Sequence, residues 1–404
     1  MNPPEPLHGP HLRARFLALD AFLHEHQALW RPKPFTTPRL PWEDSHPALA
    51  SWLRGRDLPA ADADHVHPER LLEAPDPYPA LATRAAALTA LAPFPRLPAP
   101  VLPSRFTVDV PGRKWQQIDA FAASLRFTEP VRHWLDWCAG KGHLGRRLAH
   151  DGRPLLCLER DAELVAEGQR LSDRLGLHAS HLQQDVLADE TGRRLDAHHT
   201  PVALHACGDL HARLMRVADA AGCAQLALAP CCYNRTEAVA YRPLSQAGQD
   251  ARLRLERDDL RLAISETVTA GARVRRQRDR SMAHRLGFDL LQRHLRGEDR
   301  YLPTPSLPVA WLERPFAEQA VALADGRLDL PADIDWPHWE RAGWRRLAEV
   351  RNLELLRALF RRPLELWLVL DRALYLADRG YRVQVGPFCD PTLTPRNLLI
   401  LAER

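Results

Sequence analysis

The chain has 404 residues, 45% of them hydrophobic, and a formal net charge of +4. That length and apolar content supply a full core and room for two or three structural units, while a charge so near balance does not by itself imply a single massive polyanion-binding surface. No stretch approaches the ~18 uninterrupted apolar residues of a membrane span, and the start of the chain lacks a signal-peptide pattern, so a cytoplasmic protein with no membrane partner is expected.

Residues 1–111 alternate helical stretches, at 13–29 and 79–91, with proline-rich breaks at 31–41 and 93–103. Each proline cluster ends a helical segment, which predicts an N-terminal helical cap. His24, His26, His65 and His67 fall in this region without a metal-ligand spacing. A helix is expected to begin at Gly112, with Lys114 and Gln117 one turn apart on one face. Lysine occurs only at positions 33, 114 and 141, so two of the three flank the segment described next.

Residues 133–145 read His-Trp-Leu-Asp-Trp-Cys-Ala-Gly-Lys-Gly-His-Leu-Gly: a buried strand ending at Asp136, a tight turn with Gly140 and Gly142, and a helix start with Gly145. A second apolar run at 154–158 ends at Glu159, about 20 residues beyond the loop, where a ribose-binding acid is needed in a doubly wound sheet. Asp136 before the loop would oppose a pyrophosphate and suit a cation, so a cationic cofactor is expected. Strands are predicted at 134–137, 155–158, 180–183, 202–205 and 225–229, with helices between them, and such alternation gives parallel order.

The Asp-x-Cys-Ala-Gly-Lys-Gly-His-Leu-Gly stretch resembles motif I of class I S-adenosylmethionine methyltransferases, with Cys138 at the usual first glycine. The resemblance implies that Asp136 and Gly140 line the methionine moiety, Glu159 the ribose hydroxyls and Asp185 the adenine amino group. Lys114, Cys138, Ala139, Gly142 and His205 complete the implied cofactor-binding set. Together with His-Ala-Cys-Gly-Asp-Leu at 205–210, Pro-Cys-Cys-Tyr-Asn at 230–234 and Thr-Pro-Arg-Asn-Leu at 394–398, the pattern is similar to a family of methyltransferase-domain proteins related to tRNA acceptor-stem 2'-O-methyltransferases. Asn234 stands where these often carry histidine, and Thr394 where they carry serine. The implied fold is α/β, a Rossmann-like seven-stranded sheet with an N-terminal helical cap and a large helical insertion after strand five. The core would be 112–234 and 364–404, and the inserted basic, substrate-facing region 235–363. A last helix at 364–379 and strands at 381–385 and 397–401 would complete the sheet.

Methyl transfer from a sulfonium is an in-line displacement that needs alignment, plus a base where the acceptor must lose a proton. His205 and Asp209 are the candidate base or orienting pair, and Tyr233 and Asn234 the candidate substrate clamps. Cys231 and Cys232 have the Pro-Cys form of a covalent nucleophile, although adjacent cysteines also pack at strand ends. The seven cysteines, odd in number and without C-x-x-C spacing, read as reduced thiols, with no metal site expected, Cys138, Cys207, Cys231 and Cys232 included. For the acceptor, the arginine-rich stretch 271–300 is the best phosphate-binding candidate, led by Arg273, Arg275, Arg276, Arg278 and Arg280. With His284, Phe288 and Tyr301 to stack on bases it points to RNA, whereas Trp311, Trp336, Trp339 and Trp344 would pack a local core. Methylation of a protein or small molecule, and a silent fold that binds RNA or a partner protein, remain alternatives.

Overall fold

The computed structural model describes residues 5–98, 100–265 and 272–404; Gly271, at the edge of the arginine-rich stretch, lies outside them. The predicted parallel strands form as β2 (His133–Trp137), β3 (Leu155–Glu159), β4 (Ala179–Gln183), β5 (His199–Cys207) and β6 (Gln225–Cys231). β2, β3 and β6 are buried over nearly their whole length, as a parallel sheet covered by helices requires, whereas the edge strand β4 buries only His181. The C-terminal strands β7 (Arg382–Pro387) and β8 (Leu398–Glu403) form a hairpin, with β8 antiparallel to both β7 and β6. An eighth strand, β1 (Leu7–His8), extends the expected seven by pairing with the edge of β7. Two residues were too short a run to be legible as a strand in the sequence. The resulting order is β1-β7-β8-β6-β5-β2-β3-β4, which reverses direction between β2 and β5 and so opens a crevice at their carboxyl ends.

The chain divides into two compact units, one of residues 1–24, 88–264 and 363–404, the other of 25–87 and 265–362. This partition differs from the expected segments, because the cap and the insertion each contribute to both units. The reason is buried hydrogen bonding. Asp20 accepts the backbone N–H groups of Arg252 and Leu253 at 3.0 and 3.1 Å. Asp371, buried on the helix Arg361–Ala377, accepts Leu244 N, Ser245 N and Ser245 Oγ at 2.8, 3.0 and 2.7 Å. Residues 5–24 and 235–264 are thereby tied to the α/β unit.

The second unit is helical. Its two long helices, Ala272–Arg296 and Trp336–Ala358, approach at glycines: a Cβ on Gly343 would stand 2.3 Å from the Ala283 carbonyl, and one on Gly287 2.7 Å from that of Trp339. Phe288, Phe316, Ala320 and Leu323 form a core against which Trp336 and Trp339 pack, as expected for those two tryptophans. Among the described residues no helix is long and apolar enough to cross a membrane.

Candidate functional site

The carboxyl ends of β2, β3, β5 and β6 carry the residues singled out by the sequence. Asp136 is buried, and its Oδ2 accepts the Gly145 N–H at 2.8 Å. Burial pushes its carboxyl up to about 7, against the pull of that hydrogen bond and of Arg146 and Lys114. Glu159 at the end of β3 closes the loop from the other side: Oε2 accepts Gly140 N at 2.9 Å, while Oε1 accepts Arg160 N and Asp161 N at 2.8 and 3.0 Å. The turn between them runs through left-handed backbone at Cys138, Gly140 and Gly142, with φ of 57°, 56° and 72°. Ala139 N donates to the Leu158 carbonyl at 3.0 Å, pinning the turn to β3.

The glycines do different work. A Cβ on Gly140 would meet nothing within 4 Å, so the turn opens onto free space there. On Gly142 it would strike His181 Cε1 at 2.5 Å, and on Gly145 Leu155 Cδ1 at 2.7 Å. Gly142, expected among the cofactor-binding residues, thus faces the protein interior on that side and allows the close packing of the loop. Burial raises the Cys138 thiol to about 12, with Glu159 adding to the effect, so it stands in the glycine's place as a small neutral group. Lys141 pairs with Glu167 at 2.8 Å. Asp185 is exposed and accepts Leu187 N at 3.0 Å.

A register shift interrupts the β5–β6 ladder between Leu204 and Cys207. Within it His205 adopts φ of 64°, a bulge that re-aims a side chain at a strand end. His205 Nε2 meets Gln117 Oε1 at 3.0 Å, and Gln117 Nε2 donates to the Leu393 carbonyl at 3.1 Å. Because the Gln117 amide oxygen can only accept, this network assigns the proton of a neutral His205 to Nε2 and leaves the lone pair on Nδ1. Burial, with Arg396 and Lys114 adding positive charge, lowers the His205 imidazole to about 4. Lys114 itself is exposed on the helix Gly112–Ala123.

The expected pairing of His205 with Asp209 is replaced by this contact to Gln117. Asp209 instead binds the loop after β6, accepting Glu237 N through Oδ2 at 3.2 Å. Tyr233 is buried, with the Arg372 guanidinium 4.9 Å from its ring centroid, which makes it part of the wall and not an exposed clamp. Asn234 is different: its Oδ1 is buried without a hydrogen-bond partner among the described residues, the condition of an acceptor open to a ligand or water.

Cys207 and Cys231 face each other in register, with Sγ atoms 3.6 Å apart. Cys232 joins them, so that all three sulfurs lie within 4.8 Å of one another. Cys231 is pushed far up by its hydrogen bonds to Cys207 and Cys232, while Cys232 is held far below the ordinary thiol value by the bonds it accepts from Cys207 and Cys231. Among the described residues no disulfide forms, and Cys138 stands outside the trio. The spacing argument against a thiolate cluster does not reach these three, because strand register, not a C-x-x-C turn, brings them together.

In the helical unit Arg273, Arg275, Arg276, Arg278 and Arg280 are exposed. Arg280 pairs with Glu313 at 2.8 Å, whereas Arg273, Arg275, Arg276 and Arg278 have no ion pair among the described residues. Other arginines of the stretch are structural. Arg293 binds Asp289 and Asp299 at 2.9 and 2.5 Å, and Arg285 donates to the Pro305 carbonyl at 2.8 Å. His284 and Phe288, expected to stack on bases, are buried at 2% and 0% exposure and present no face to a nucleic acid.

Residues 113–239 match the family described as "Methyltransferase domain". Among solved structures the chain is similar to the magnesium protoporphyrin IX methyltransferase of Synechocystis PCC 6803 with bound S-adenosylhomocysteine, at 17% identity and a TM-score of 0.25. That match covers 31% of this chain and 63% of the other protein. The matched family segment coincides with the stretch from the Gly112–Ala123 helix through β6 and its cysteine loop. The open space at Gly140, the buried carboxylate behind it and the acid ending β3 fit a sulfonium nucleoside. Residues 113–239 thus match a methyltransferase domain within a Rossmann-like α/β fold, and S-adenosylmethionine is the cofactor that this match implies.

Proposed function

We propose that the protein is an S-adenosylmethionine-dependent methyltransferase that acts on RNA, tRNA or rRNA. The observation that carries the methyltransferase reading is the convergence at one sheet edge of a neutral His205 with a lone pair on Nδ1, an unpartnered Asn234 Oδ1 and the Asp136–Glu159 loop. When bound, the cofactor would supply an electrophilic methyl group, open to in-line attack by an acceptor lone pair with S-adenosylhomocysteine as the leaving group. Asp136 and Gly140 would border its methionine moiety, Glu159 the ribose and Asp185 the adenine. Asn234 orients a donor group of the ligand, and Gln117 holds the His205 ring. His205 receives a proton on Nδ1, and an imidazole held near 4 suits an acceptor that sheds its proton after the methyl has bonded.

The RNA assignment is supported by the exposed guanidiniums of Arg273, Arg275, Arg276 and Arg278, which are not spent on ion pairs among the described residues. The test is to incubate the purified chain with methyl-labelled S-adenosylmethionine and, separately, total RNA, total protein and a small-molecule extract. Label in RNA is the expected result. Label confined to protein or small molecules overturns the acceptor, and bound cofactor with no transfer to any pool overturns the enzyme reading in favour of a silent fold.

A further inference from the structure

The cysteine trio has a geometry that methyl transfer does not call for. A tetrahedral zinc with Zn–S bonds of ~2.3 Å sets neighbouring sulfurs about 3.8 Å apart. The Cys207 and Cys231 sulfurs are 3.6 Å apart, and Cys232 closes a triangle no wider than 4.8 Å. The two loops that present them are clamped to each other through backbone. Gly208 N donates to the Cys231 carbonyl at 3.1 Å, Asp209 N to the Arg235 carbonyl at 3.1 Å and Arg235 N to the Cys232 carbonyl at 2.9 Å. The contact tolerates no side chain at Gly208, where a Cβ would lie 1.8 Å from the Arg235 oxygen and φ is +56°. Cys232, a non-glycine residue, is held at φ of 45°, a conformation that persists only where the surroundings impose it. Strained, clamped backbone thus fixes three soft donors at metal-ligand separation.

We propose that Cys207, Cys231 and Cys232 bind one soft divalent cation of the zinc class as thiolates, leaving its fourth position to water or to a donor from outside the chain. Among the described residues no fourth histidine, cysteine or carboxylate reaches the cluster, and a three-ligand site with one open position is the form of zinc sites that engage a ligand. Three thiolates and a dication leave one negative charge, and Arg235 and Arg396 lie close enough to act on Cys232 electrostatically. The same clamp explains why adjacent strands end in cysteine on both sides of one ladder pair.

The test uses the full chain, purified reduced, stripped with a chelator and titrated with Co²⁺. The expected result is one equivalent bound, with thiolate-to-cobalt charge-transfer absorption and tetrahedral ligand-field bands, displaced by Zn²⁺. Cys207→Ser and Cys232→Ser should each weaken binding by at least about tenfold, while Cys223→Ser, at a buried cysteine bonded to the Asp196 carbonyl, should not. Should the variants fail to fold, thiol counting on the native wild type gives the answer: zinc must protect three thiols from a thiol reagent relative to the stripped protein. Absence of the cobalt charge-transfer band in the wild type, a band that survives both substitutions, or no protected thiols overturns the proposal.

Discussion

In the α/β unit several carboxylates mainly serve backbone. Asp20 and Asp371 collect the N–H groups of loops, Asp136 takes the N–H of Gly145, and Glu159 takes three at once. In the helical unit carboxylates serve guanidiniums: buried Asp289 and exposed Asp299 hold Arg293, Asp279 holds Arg351 at 2.6 Å, and Glu43 holds Arg54 at 2.7 Å. A carboxylate bonded to N–H groups leaves a negative edge that still has lone pairs for a cationic ligand. One paired with arginine is neutralised and acts as a strut. The same residue types therefore leave open acceptor edges in one unit and build struts in the other.

The strut is the easier half to break. Arg293→Ala leaves Asp289 buried without its cation, and removal of one partner from such a pair costs about 3–5 kcal/mol. Denaturant unfolding should register a loss of that size, most of it recovered by adding Asp289→Asn. A loss near that of an exposed pair would mean that the helical unit is held by its apolar cores alone.

On the site side, Asp136→Ala removes both the charge and the acceptor of Gly145 N–H, so S-adenosylmethionine affinity should fall at least about tenfold, with about 1–3 kcal/mol of stability for the unpaired donor. Asp136→Asn keeps an acceptor and isolates the charge. With the folded carboxyl at about 7 against an ordinary 3.8, the folded state binds the extra proton between those values. Stability of the ligand-free protein should accordingly decline as pH rises from about 4 to 7, and Asp136→Asn should flatten that decline. Affinity for the sulfonium should run the other way, rising with pH through about 7, while S-adenosylhomocysteine, without the positive sulfur, should respond less. Calorimetric titration of both ligands across this range checks it, and equal pH dependence for the two would remove Asp136 as the group that senses the charge.

The glycine loop and its two acids were legible because the relevant contacts are local or set by strand order: Asp136 to Gly145 and Glu159 to Gly140 each follow from a strand, a turn and a helix start. The strands of the parallel series were legible for the same reason, as apolar runs of the right length. His205 was singled out but its contact to Gln117 was not, since Gln117 reaches it from a helix 88 residues away and a β-bulge has no signature in residue types. The cysteine trio was hidden because Cys207 and Cys231 meet only through ladder register. The arginine stretch misled in part: Glu313, Thr304 and Asp299, which engage Arg280, Arg285 and Arg293, come from turns and loops beyond the helix, so no pattern along the helix separates struts from exposed charges. The division into units was lost for a similar reason, because Asp20 and Asp371 tie down segments more than 100 residues away.

The exposed charges allow a finer separation. Replacing Arg273, Arg275 and Arg276 together with alanine should leave unfolding unchanged and reduce RNA affinity, lowering the slope of log affinity against log salt by about 2 if each neutralises a phosphate on single-stranded RNA. An unaltered slope would take the helical unit out of RNA binding. Arg280→Ala is the smallest and most discriminating change. Its pair with Glu313 is exposed on both sides, at 45% and 59%, and solvent screening leaves such a pair little weight in stability, so the melting temperature should not move. Because Glu313 already neutralises Arg280, its removal should also alter the salt slope less than removal of Arg275 alone. A slope loss at Arg280 as large as that at Arg275, about 0.7, would show that a phosphate displaces Glu313, moving Arg280 from the scaffold to the binding surface.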